Sequence, residues 1–220
     1  MSEVNRYYMA AIDLRGKRAL VVGAGNVAQE KIENLLLCGA EVRVVAPETG
    51  EAAAALAESG EIELRQRAYA AGDLDGCFLA VAATGDVEVD KDVHSDCEER
   101  GMLVNVADVP SLCNFILPAV ARVGPVAIAV STAGASPALA KRLRREIAES
   151  FGDEYADLAA MLADIRDWAK ATLPTYGDRR DFFEGIVNGN PDPIELLRSG
   201  DRKGARQLIV AAQKRAEESR

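Results

Sequence analysis

The sequence is poor in the groups that most often mark metal and nucleophilic sites. It has one histidine, His94, in 220 residues. Its four cysteines, Cys38, Cys77, Cys97 and Cys113, are scattered and form no C-x-x-C pair, so their spacing gives no structural zinc site. They read as free, mostly buried thiols in a reducing compartment. No apolar run approaches about 18 residues, so no membrane-spanning helix is expected. Met1 to Lys17 carries charges and no apolar h-region, so no signal peptide is expected and the chain is placed in the cytoplasm. Positive charge is short as well, with 26 Lys and Arg against 35 Asp and Glu, a formal net charge of -9. An acidic surface repels a duplex, so nucleic acid is not expected as a partner, although net charge does not exclude a local basic patch.

What is present is a core-forming α/β pattern. Hydrophobic residues make up 49% of the chain, enough for a sizeable core. Arg18 to Val22, Glu41 to Ala46, Ile62 to Arg65, Cys77 to Ala82 and Met102 to Asn105 read as short strands. Helical patterns at Val27–Leu36, Thr49–Ser59 and Val87–Arg100 alternate with them. Gly39, Gly60 and Gly101 follow these helices where a C-terminal glycine belongs. This alternation predicts a parallel sheet with helices on both faces and ligands at the strand C-terminal edge.

The first strand runs into Gly23-Ala24-Gly25-Asn26-Val27-Ala28 and then a helix. In this G-x-G-x-x-A pattern Gly23 allows the tight turn, and Gly25 lets backbone approach a pyrophosphate at the positive helix end. Ala28 is the small third residue for helix–strand packing. A glycine turn used only for packing is the bland alternative, but strand, turn, helix and second strand occur in the order dinucleotide binding requires. The second strand ends at Ala46-Pro47-Glu48, where an acidic residue about 20 positions after the loop bonds ribose hydroxyls in an NAD site. Arg43 lies inside the strand and no cation follows it directly, which favours NAD over NADP. Thr84 ends the Cys77–Ala82 strand and is expected near the nicotinamide-side ribose. Asp108 follows the Met102 strand at the same edge, where a carboxylate could take a proton as a hydride leaves. Spacing alone reads Asp108 equally well as a turn cap before Val-Pro.

The pattern changes after Asp108. Phe115 to Val123 and Pro125 to Ser131 form a predicted hairpin around Gly124. Ser136-Pro137 opens a helix with an N-cap serine and proline at its first position. Asp153 to Leu173, Arg179 to Val187, Pro193 to Arg198 and Lys203 to Glu218 read as further helices. The fold class is therefore α/β: a Rossmann parallel sheet, a β-hairpin/helix segment and a small C-terminal helical domain. The expected divisions are residues 1–113, 114–150 and 151–220. The hairpin leaves apolar strands with open edges, so a homodimer that covers them is expected.

The chain resembles the precorrin-2 dehydrogenase / sirohydrochlorin ferrochelatase family, the N-terminal part of siroheme synthase. The resemblance rests on Leu14-Arg15-Gly16-Lys17, the glycine loop through Lys31, Asn105-Val106-Ala107-Asp108, Asn114-Phe115-Ile116-Leu117-Pro118-Ala119, Ser131-Thr132-Ala133-Gly134-Ala135-Ser136-Pro137, and Gly177 to Phe183. It implies NAD-dependent oxidation of precorrin-2 to sirohydrochlorin, followed in some members by ferrous iron insertion. It maps the family's essential aspartate onto Asp108. Its cofactor contacts fall on the loop around Asn26 and Val27 and on Pro47-Glu48. A serine phosphorylated in some members corresponds to Thr132, and the methyltransferase half of the fused enzymes has no counterpart here. The implied substrate is a tetrapyrrole rich in carboxylates. Asn105, Ser131, Thr132, Gly134, Ser136 and Lys141 are its candidate contacts, lying on or before a helix that also carries Arg142, Arg144 and Arg145. A solvated helical face is the plain alternative for those side chains. His94, within a predicted helix, is expected at the surface. An NAD-sensing module without catalysis would explain the glycine loop but not Asp108. A common small-molecule dehydrogenase would need a Tyr-x-x-x-Lys pair, which Tyr7, Tyr8, Tyr69, Tyr155 and Tyr176 do not supply.

Overall fold

Five short runs rich in valine, alanine and leucine become the strands of one parallel sheet. They are β1 (Arg18–Val22), β2 (Glu41–Val45), β3 (Ile62–Arg65), β4 (Cys77–Ala82) and β5 (Leu103–Val106), in the order β3-β2-β1-β4-β5. The computed structural model describes residues 7–218, and a boundary between two compact units falls between Leu117 and Pro118. Residues 1–6 of the leader expectation lie outside the described residues.

In the first unit, alternate residues of β1 serve opposite faces, as strand geometry requires. Ala19 and Val21 pack with Ala28 and Ile32 of α1 (Asn26–Leu37) and Ala53 of α2 (Glu51–Glu58). Leu20 and Val22 pack with Val93 and Cys97 of α3 (Val87–Glu99). Both faces are covered, which is why the strands read as continuous apolar runs. The chain grows outward from β1 to β3 and then returns to β4. The crevice for a ligand therefore opens between β1 and β4.

The return from β3 to β4 uses a 3-10 turn, Ala71–Leu74, secured by charge. The Asp73 side chain is fully buried and accepts from Arg65, from Arg67 and from the Ala70 N–H at 3.0 Å. Arg43, buried in β2, donates to Glu63 at 3.0 Å and to the Asp73 carbonyl at 2.9 Å. At the sheet edge, Asn114 covers β5. Its Oδ1 accepts from Val104 N at 2.7 Å while its own N–H donates to the Val104 carbonyl at 3.1 Å.

The second unit begins with the hairpin β6 (Ala119–Val123) and β7 (Val126–Val130). Gly124 turns it at φ +54°, and a Cβ there would sit 2.8 Å from the Ala156 Cβ. The expected strand from Phe115 begins only at Ala119. The Phe115 carbonyl is held by the Asn105 side chain at 3.1 Å, and Pro118 has no N–H for a ladder. Helix α4 (Pro137–Ser150) packs on the hairpin and is followed by α5 (Asp153–Asp164), α6 (Arg166–Thr172), α7 (Tyr176–Val187), α8 (Pro193–Arg198) and α9 (Arg202–Glu218). Met161, Ile186, Ala205 and Ile209 form their core. The expected single helix from Asp153 to Leu173 breaks at Ile165. Beyond the break, the Trp168 ring lies 5.2 Å from Phe182 and its indole N–H donates to Glu217. No helix among the described residues is long and apolar enough to cross a membrane.

Burial alone would raise the Asp73 carboxyl, but the Arg67 and Arg65 guanidiniums and the Ala70 N–H hold it down at about 2. Asp73→Asn is expected to cost about 2–3 kcal/mol at pH 7, because Arg67 loses its charged partner and Arg65 keeps only Glu63. A lowered carboxylate pKa stabilises the fold fully above its ordinary value and is lost as pH falls through the folded one. Urea unfolding should therefore separate wild type and variant widely at pH 7 and much less at pH 2. An equal gap at both would contradict this role.

Candidate functional site

The hydrogen-bond ladder of the sheet continues past the strand ends. Ala46 N donates to the Arg65 carbonyl at 3.2 Å, Gly23 N to Val45 at 2.9 Å, Ala83 N to Val22 at 2.8 Å and Ala107 N to Ala82 at 2.8 Å. These bonds align the four chain segments that leave β2, β1, β4 and β5 along one edge. Gly23 has φ +109°, and a Cβ there would fall on the Ala83 carbonyl oxygen. Only glycine permits this crossing. Gly25 differs. It is the N-cap of α1 with an extended backbone, and a Cβ added to it would meet nothing within 4 Å.

An open cleft of about 390 Å³ lies at this edge, lined by Gly25, Asn26 and Val27 on one side and by Ala83, Thr84 and Gly85. Val87, Asp90, Ala107, Asp108 and Val109 complete it. Val27 and Val87 are large apolar residues left exposed there. The first turn of α1 has no side-chain cap and no acidic residue, so its amides are available to an anion. Nearby, the 47–50 segment abuts the loop: a Cβ on Gly50 would lie 3.2 Å from the Ala24 carbonyl. The adjoining Thr49 hydroxyl oxygen is buried and has no hydrogen-bond partner. These features fit a group with phosphates and hydroxyls.

Asp108 is exposed and stands at φ +61°, in the left-handed region. For a residue with a Cβ that conformation costs about 1–2 kcal/mol, less for aspartate than for most. Cys113 underpins it. Val106 N donates to the Cys113 Sγ at 3.2 Å, and the thiol lies 3.4 Å from the Val109 carbonyl. Burial pushes the Cys113 thiol above its ordinary pKa, so it stays a neutral clamp.

The structure brings Gly25, Asn26, Val27, Thr84 and Asp108 to one cleft. Gly23 lies beneath it, while Ala46, Pro47 and Glu48 stand at the end of β2, with Pro47 and Glu48 exposed. The Asn105 amide is turned inward, donating to the Phe115 carbonyl. In the second unit, Thr132 Oγ1 accepts from Ser136 N at 3.1 Å and the Ser136 Oγ accepts from Leu139 N at 3.2 Å. Ser131 Oγ accepts from Ala133 N, Gly134 turns the loop at φ +85°, and Lys141 is exposed on α4. His94 is half-buried rather than superficial, and its Nδ1 is enclosed without a hydrogen-bond partner.

Asp90 was absent from the sequence expectations. It is 4% exposed, and its Oδ1 accepts from the Thr84 hydroxyl at 2.7 Å. The signal was there: residues 90, 93 and 97 make one helical stripe, and an aspartate interrupts an otherwise apolar face.

Three family models match successive stretches of the chain. One described as putative NAD(P)-binding covers residues 10–119, the sirohaem biosynthesis protein central model covers 123–150, and the sirohaem synthase dimerisation region covers 154–212. The chain is 42% identical over 199 residues to a siroheme synthase of Pseudomonas entomophila, a match of 90% of this chain and 42% of that protein. It is 40% identical over 200 residues to that of Azotobacter vinelandii, with the same shares. It thus spans less than half the length of these relatives. A solved structure described as SirC, precorrin-2 dehydrogenase, matches with a TM-score of 0.75 at 26% identity, covering 93% of this chain and 100% of that one.

The two loop glycines should respond differently to alanine. Gly23→Ala is expected to destabilise by about 3 kcal/mol or more, through clash and left-handed strain. Gly25→Ala should stay within about 1 kcal/mol of wild type, since the site is open and its φ is negative. Denaturant midpoints decide; equal losses would refute the distinction.

Proposed function

The chain belongs to the family that joins a putative NAD(P)-binding domain to the central and dimerisation regions of sirohaem synthase, and we propose that it oxidises precorrin-2 to sirohydrochlorin with NAD. The observation that carries the reading is a strained carboxylate, Asp108, on the same cleft as the open N-terminus of α1. When bound, the nicotinamide supplies a two-electron hydride acceptor. The α1 amides and Gly25 hold the pyrophosphate. Val27 and Val87 offer apolar contact to the ring. Asp108 takes the proton that the macrocycle loses with the hydride, which restores conjugation. Ser131, Thr132, Gly134, Ser136 and Lys141 are proposed contacts for the substrate carboxylates; Asn105 is not among them, because its buried amide is engaged by the Phe115 carbonyl.

NAD rather than NADP follows from the cations near β2. Arg43, Arg65 and Arg67 are engaged by Glu63 and Asp73, and Glu48 stands exposed where ribose hydroxyls would lie. The reading also carries a cytoplasmic location and three functional segments, 1–113, 114–150 and 151–220.

An anaerobic assay with precorrin-2 and NAD should yield NADH and sirohydrochlorin, with NADP a poorer acceptor. Asp108→Asn is expected to lower turnover by about 10²–10⁴-fold while NAD affinity changes little. Full turnover by that variant would remove Asp108 from the chemistry. NAD binding by the wild type without any turnover would favour a sensing module instead.

The same reading includes a homodimer. The hairpin is a two-stranded sheet whose outer edges pair with no further strand among the described residues, although α4 packs on it. Its Ala127 and Ala129 are exposed on one face of β7. Sedimentation should give twice the chain mass, and Ala129→Glu should shift the protein toward monomer. A wild type that sediments as a monomer would discard the dimer.

A further inference from the structure

We propose that Asp90 makes this cleft prefer the oxidised dinucleotide over the reduced one, an inference that rests on the cofactor reading above. In a doubly wound sheet the two nucleotide halves lie on either side of the switch point. The β1–β2–β3 side takes the adenosine. The β4–β5 side, where Thr84, Asp90 and Asp108 line the cleft, takes the nicotinamide. The ring is a cation when oxidised and neutral when reduced, while the phosphates keep their charge. A group that senses the redox state must therefore sense ring charge.

Asp90 is placed to do so. It is buried to all but 4% of its surface, and its Oδ1 accepts from a neutral hydroxyl, that of Thr84, at 2.7 Å. The cleft lining contains no lysine, arginine or histidine among the described residues. Its place in the first turn of α3 gives the carboxylate a helix dipole, but a dipole is only a partial counter-charge. A buried carboxylate without a cation costs free energy, and the oxidised ring supplies the missing charge. Asp108, exposed to solvent, contributes less because water and salt screen it. Hydride transfer then removes the ring's charge and with it this attraction. The reduced product is bound less tightly and leaves.

The test is to titrate the full chain with NAD⁺ and with NADH. Wild type should bind NAD⁺ more tightly. Asp90→Asn should weaken NAD⁺ by about tenfold, equivalent to about 1.4 kcal/mol, and change NADH by no more than about twofold. Thr84→Val keeps the carboxylate and removes its hydroxyl donor, so the preference should persist or grow. Thermal melts check folding, and Asp90→Ser gives the same readout should the asparagine variant not fold. Equal weakening of both forms by the Asp90 variants, or loss of the preference in Thr84→Val, overturns the proposal. A wild type that binds neither dinucleotide overturns the cofactor reading with it. A wild type that binds both, with a ratio unmoved by Asp90→Asn, overturns the Asp90 role alone.

Discussion

Where β1 leaves the sheet, the backbone of Gly23 passes so close to the Ala83 carbonyl that no side chain fits between them. Every element of the cleft depends on that crossing. It brings the segment after β1 against the segment after β4, and it aims α1 so that its free amides face the crevice. The ladder bonds from Gly23 to Val45 and from Ala83 to Val22 keep the crossing in register. A larger residue would push the two strand ends apart, and the helix terminus would no longer converge with Asp108. The tight turn is a packing requirement first, and the anion site is its consequence.

The second constraint is the turn at Asp108. A positive φ on a residue with a Cβ persists only where its surroundings over-determine it. Here the Ala107–Ala82 ladder bond fixes one side of the turn, and the Cys113 thiol beneath Val106 and Val109 fixes the other. Asn105 and Asn114 then lock residues 113–115 against β5. Stitching by asparagine side chains replaces a sixth strand at that edge. The edge is closed to further pairing while the carboxylate above it stays accessible.

Much of this could be read in the residues, and the rest could not for definite reasons. The five strands and the glycine loop are signalled by apolar runs and by Gly23 and Gly25, because those features are local. The two helices flanking Ile165 look like one, since no proline or glycine marks the break and the Trp168 contacts that accompany it are tertiary. The Phe115 run looks like a strand because its composition is right, and only the Asn105 side chain, ten residues upstream, shows why it is not one. Arg43 reads as a strand cation, whereas its role depends on Glu63 and the 71–74 turn meeting it from other parts of the chain. Of the candidate site, the loop is legible from spacing, whereas spacing places Asp108 at the sheet edge but reads it equally well as a turn cap. Asp90 is legible only once its helical stripe is seen to be buried.

The charge distribution then acquires a physical sense. A net charge of -9 would oppose both a dinucleotide and a polycarboxylate if it were spread evenly. At the cleft it is not: Asp73 and Glu63 are spent in ion pairs, while Asp90 and Asp108 line the cleft on the β4–β5 side. The α1 amides have no acidic neighbour in their first turn and open onto the same cleft. The cleft thus divides by sign, with the partial positive charge of the α1 N-terminus on one side and the carboxylates of Asp90 and Asp108 on the other. That division follows from sheet topology, since the segments after β1 and after β4 and β5 fall on opposite sides of one crevice.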